Sequence, residues 1–120
     1  RGGREFQARV KVADQPEVRA QRVAVLKEIE LISVTPAIRA ERGIRSARGA
    51  LVASVTDRVA ESLGIRAGDV IIQLANRMGT VEVTDAQQAK TALESLAGRG
   101  VIRMFLERAG QRVYTDFQIQ

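Results

Sequence analysis

Two residue types that build most hydrolytic and metal-dependent sites are missing from this 120-residue chain: it contains no histidine and no cysteine. Without His, neither a Ser-His-Asp triad nor a His-ligated metal can be assembled from its own side chains. Without Cys there is no thiol nucleophile, no disulfide and no thiolate zinc site. Cysteine avoidance suits an oxidising envelope compartment, although many cytosolic domains share it. A self-contained enzyme is therefore not expected, and neither a cofactor nor a metal is. Aromatic residues are almost as scarce. Phe6, Phe105, Phe117 and Tyr114 are the whole set, too few for a base-stacking platform. No apolar run approaches the roughly 18–20 residues of a membrane-spanning helix; the longest lies around Val70–Leu74. The chain opens on Arg1 with no signal-peptide pattern, as expected of a piece cut from a longer protein.

What is present is mostly aliphatic. Apolar residues make up 45% of the sequence, so a core for one domain must be built from Val, Ile, Leu and Ala. The net charge is +5 and is carried largely by Arg. Clustered Arg can neutralise phosphates, and Arg39, Arg42, Arg45 and Arg48 form the densest group. Glu41 interrupts that group and no aromatics interleave it, so solvated surface arginines are expected rather than a nucleic-acid interface.

The stretch Gly64-Ile65-Arg66-Ala67-Gly68-Asp69-Val70-Ile71-Ile72-Gln73-Leu74-Ala75-Asn76 gives a helix stop, a tight turn and an apolar strand. Gly64 and Gly68 can adopt the positive φ that closes a helix and turns the chain, and Asp69 can accept from nearby amides. Before it come a strand at Ala50–Val55 and a short helix at Asp57–Leu63 with Asp57 as its cap. After it comes the longest helix, Asp85–Ala97, for which Thr84-Asp85-Ala86-Gln87 reads as a capping box. Ala86, Ala89, Leu93, Leu96 and Ala97 form its core-facing stripe. Upstream, Ile29 and Leu31 alternate with Glu28 and Glu30 in a half-exposed strand running to Val34. Thr35-Pro36 then opens a short helix that Gly43 stops. Val101–Leu106 and Arg112–Ile119 close the domain as a hairpin turning at Ala109-Gly110.

Arg1–Val12 echoes Arg108–Ile119: Arg-x-Gly starts both, and apolar residues recur at Phe6/Val113, Val10/Phe117 and Val12/Ile119. The expected division is thus residues 1–14 as the last strand of a preceding, truncated repeat, 15–27 as linker and 28–120 as the domain itself. Pro16 and the charges suit a linker, whereas Val18, Val23, Val25 and Leu26 suit equally a helix or a docked strand.

Thr35-Pro36, then Gly49–Val55, then Gly64-Ile65-x-x-Gly68-Asp69-Val70-Ile71, then helix Asp85–Ala97 together resemble the PDZ domains of bacterial HtrA/Deg-type serine proteases, in particular their second PDZ repeat. The resemblance covers about residues 28–120. It implies an α+β fold: a PDZ-like, partly open β-barrel or sandwich of five to six strands with one long and one or two short helices. The strand order implied is the permuted bacterial one, with the peptide-binding strand first. It also implies a non-catalytic module of an envelope, periplasmic protease, partnered by extended or unfolded polypeptide, C-terminal peptides and neighbouring PDZ and protease domains. An interdomain docking element is the alternative, as is the PDZ domain of a tail-specific or intramembrane protease; an oligomer would form through the parent protein.

In such domains an extended peptide adds to an open sheet edge beside a helix. Carried onto this sequence, the site comprises Lys27, Glu28, Ile29, Glu30, Leu31 and Ile32 on the edge, and Ala86, Lys90 and Leu93 on the helix. Setting Leu93 on the core face, as the resemblance to the family implies, turns Ala86 and Lys90 toward the groove. Ala86 favours an apolar peptide residue and Lys90 an acidic one upstream. Where the family carries glycines whose bare amides bind a terminal carboxylate, this chain has Glu28 and Glu30, with Lys27 as partial compensation. Weakened recognition of free C-termini is expected.

Overall fold

The computed structural model describes residues 23–119, so the segment read as the tail of a preceding repeat and most of the expected linker lie outside the described residues. In chain order the elements are β1 (Val23–Val25), β2 (Ile29–Ser33), α1 (Pro36–Arg42), β3 (Ala50–Val55), α2 (Asp57–Leu63), β4 (Val70–Asn76), β5 (Gly79–Glu82), α3 (Ala86–Leu96), β6 (Val101–Arg108) and β7 (Gln111–Gln118). Pairing is antiparallel between all neighbours in the order β1-β2-β3-β4-β6-β7, with β5 paired to β4 off that path. This is the expected α+β, PDZ-like open barrel. The five strands read from the sequence are all there, and β1 and β5 are additional.

Local chemistry sets the element ends. Thr35 caps α1 by accepting from the Ile38 N–H, Pro36 occupies the first turn, and Gly43 ends the helix at φ 67°. Two caps differ from expectation by one residue. Thr56, not Asp57, caps α2 and accepts from the Val59 N–H, leaving Asp57 in the first turn, where its charge complements the helix dipole. Asp85, not Thr84, caps α3: its carboxylate accepts from the Gln88 N–H, and Gln88 Oε1 in turn accepts from the Thr84 N–H and hydroxyl. The box is Asp85-x-x-Gln88, and Thr84 sits just outside the helix.

The turn between α2 and β4 is held from both sides. Gly64 has φ 74°, and a Cβ there would stand 2.6 Å from Thr115 Oγ1 of β7, so both conformation and space demand glycine. Thr115 Oγ1 itself donates to the Leu63 carbonyl. Asp69 accepts from the Arg66 N–H, the local bond its position suggested. It is also gripped by Arg108 at the end of β6, with Nε and Nη2 at 2.9 and 2.7 Å from its two oxygens, and Arg108 Nη2 donates further to the Gly64 carbonyl. The Arg108 partner had no signal in the local sequence.

The core has two parts. The larger joins Val25, Ile29, Leu31, Ala50, Val52 and Ile71 to Val59 and Leu63 of α2 and to Ala86, Ala89 and Leu93 of α3, with Ile102, Met104, Leu106 and Phe117 closing it. The smaller lies on the opposite face, where Ile32, Val34, Leu51 and Val70 pack with Ile38 of α1. Aliphatic side chains thus dominate both, with Phe117 the one aromatic among the buried residues named.

Candidate functional site

Strand β2 and helix α3, expected to wall a peptide groove, lie next to each other. A side chain outside the expected set fixes their mutual position: Ser33 Oγ, at the end of β2, accepts from the Ala86 N–H at 2.9 Å. That amide is one of the first-turn donors a helix cannot satisfy internally, so the bond ties the helix start to the strand.

The edge of β2 is occupied. The three residues of β1 pair with it antiparallel, Val23 opposite Leu31, Ala24 opposite Glu30 and Val25 opposite Ile29. Val25 is wholly buried and shares one cluster with Ile29, Leu31, Ala86, Ala89 and Leu93. Of the two structures open to the segment around Val23–Leu26, it is the docked strand that forms. Lys27 lies exposed in the turn joining β1 to β2. The turn is closed by the Glu28 N–H donating to the Val25 carbonyl, and Leu26 and Lys27 at its centre have φ 55° and 64°. Tight hairpins require such positive φ and favour Asn-Gly there. Leu-Lys carries no such signal, and the hairpin was not visible in the sequence.

Ile29 and Leu31 are buried in the main core beneath β1, and Ile32 is buried on the other face of β2 against α1, away from the groove. Ala86 and Leu93 are buried in the same cluster as Val25, so Ala86 is a covered position of the groove wall, not an exposed one. Lys90 is partly exposed and lies 3.8 Å from Glu94 one turn on, a weak pairing at the helix surface.

The two glutamates at glycine-like positions have partners. Glu28 accepts from Thr56 Oγ1 and from both Nε and Nη2 of Arg58; the Thr56 bond, then Arg58, holds its carboxyl below the ordinary carboxylate value. Glu30 accepts from Ser54 Oγ at 3.0 Å. Beside the turn a cleft of about 320 Å³ is lined by Leu26, Glu28, Arg58, Val59, Leu63 and Ile119. Thr56 and Arg58 therefore belong to the site's charged end, although sequence separation hid them from Glu28. Among the described residues no helix is long and apolar enough to cross a membrane.

No family model matches the chain, and no curated relative does. Among solved structures, one described as "HtrA-type protease AlgW with decapeptide" is similar over 91% of this chain, with a TM-score of 0.60 and 20% sequence identity. The match takes up 33% of that structure's own chain, so the present sequence corresponds to about a third of its length. At this identity the likeness is one of fold.

Proposed function

We propose that this chain is a non-catalytic, PDZ-type peptide-binding module of an HtrA/Deg-type serine protease working in the bacterial envelope. It would take extended polypeptide by strand addition between β2 and α3. The observation that carries the reading is the seating of an extended segment in that groove, backbone-paired to β2 with the aliphatic Val25 buried in one cluster with the helix. Strand addition supplies affinity through main-chain bonds, and the buried pocket selects the side chain. The solved relative in fold is described with a decapeptide, which accords with the same use.

The partners of Glu28 bear on which peptides suit the groove. Arg58 is the cation best placed to meet a terminal carboxylate, and Glu28 already engages it. Internal extended segments should therefore bind about as well as free C-termini. Titration calorimetry with matched free and amidated peptides tests this. Equal affinities are expected for the parent chain, with a preference for the free acid appearing in Glu28→Gly, which releases Arg58. Strong discrimination by the parent would defeat the internal-segment reading, and no binding by either protein would leave docking between domains as the role.

A further inference from the structure

The segment in the groove lies as an added peptide strand would. β1 runs antiparallel to β2, with its C-terminal end at the turn, the approach a peptide would make. Its Val25 side chain is wholly buried, Leu26 in the turn packs against the same cluster, and Ala24 is exposed. Its tether places Leu26 and Lys27 in the left-handed region, where non-glycine residues are strained and persist only under constraint. A covalent tether gives the segment a high effective concentration, and the strain in that tether offsets part of the advantage.

We infer that Val23–Val25 is the groove's own ligand, a self-blocking segment, and that an external extended peptide with a Val-sized aliphatic residue at the Val25 position binds by displacing it. Val25 shares its core cluster with the small Ala86 and Ala89 of α3 and with Ile29 and Leu31. This rests on the peptide-binding reading above and adds the ligand class and its regulation. Binding of an outside peptide is then weakened by the fraction of molecules in which β1 is seated.

The test uses the full chain, which has no cysteine of its own. Ala24 and Glu30 stand opposite each other, a cross-strand spacing that suits a disulfide. Ala24→Cys with Glu30→Cys locks β1 in place when oxidised and frees it when reduced. The probe is a fluorescent peptide ending in Arg-Val-Ala-Val, the sequence of residues 22–25, followed by anisotropy. The reduced protein should bind at least tenfold more tightly than the oxidised one. Without cysteines, Lys27→Gly relieves the turn at an exposed position and should weaken binding about tenfold relative to the parent, equivalent to about 1.4 kcal/mol of added preference for the seated strand. Equal binding by the oxidised and reduced forms would overturn self-blocking while leaving peptide binding standing. No binding by any form, with hydrogen exchange showing the β2 amides freed on reduction, would instead overturn the peptide-binding reading, and this inference with it.

Discussion

Removing Arg108 should expose how much the turn that marks this fold depends on a partner far away in sequence. Asp69 is 2% exposed, and its carboxylate takes two bonds from Arg108 and one from the Arg66 amide. In Arg108→Met the methionine keeps much of the aliphatic volume, but Asp69 is left buried with a single donor. Breaking a buried pair from one side costs about 3–5 kcal/mol, because a charge is stranded. The Arg108 side chain is 28% exposed, so water can enter, and the low end of about 3 kcal/mol applies. At roughly 4–8 °C per kcal/mol for a domain of this size, Tm should fall by about 12–24 °C. Urea unfolding followed by circular dichroism gives the same quantity as a shifted midpoint. Asp69→Asn with Arg108→Met should cost less than the two single changes summed, by about 1–3 kcal/mol, since no charge is then stranded. A loss under about 1 kcal/mol for Arg108→Met, or strict additivity in the double variant, would refute the view that this ion pair holds the α2–β4 turn to the end of β6.

Most of the fold was legible because its signals are local. Thr35-Pro36 with Gly43, Gly64 with Gly68-Asp69, and Ala109-Gly110 each set a turn or helix end through residues within a few positions, and the structure follows them. The cap errors at Asp57 and Thr84 have a simple cause. Thr-Asp offers two capping side chains in succession, and which one caps is decided by backbone entry into the helix, which sequence alone does not give. The partners that were missed join positions distant along the chain: Asp69 with Arg108, Glu28 with Arg58, Ser33 with Ala86. Any of several arginines could have met either carboxylate.

The candidate groove was half legible. Its walls follow from element order, so β2 and α3 could be named in advance. Its occupant could not. Val23-Ala24-Val25 is short and unremarkable, and the turn after it lacks the Gly or Asn that announces a hairpin. The same lack that concealed the hairpin is what places Leu26 and Lys27 at positive φ without glycine.

Three further predictions concern acid stability, the α2 terminus and β1. Burial pushes the Glu107 carboxyl up, but bonds from the Arg45 and Ser46 amides and the Ser46 hydroxyl outweigh it and hold the group below its ordinary value of 4.5. Its contribution is thus complete above the unfolded value and lost as pH falls through the lower folded one, so Glu107→Gln should flatten the fall in urea midpoint at acid pH. Gly64→Ala should cost about 1–3 kcal/mol through its positive φ, and adding Thr115→Ala should recover the steric part but not the backbone part. The last separates a structural β1 from a releasable one. Val25→Ala removes two methylene equivalents from a fully buried position, about 1.6 kcal/mol of burial. If β1 were integral to the core, that loss would appear in global unfolding. Because Leu26 and Lys27 strain its tether, β1 should open at lower free energy than the domain unfolds, and the loss should appear in the local step. Amides of β2 paired to β1 should then exchange with solvent roughly fifteenfold faster, while the urea midpoint hardly moves because β1 has already opened at lower urea than the domain unfolds. A midpoint lowered by the full amount, with exchange unchanged relative to global unfolding, would make β1 a permanent strand of the sheet.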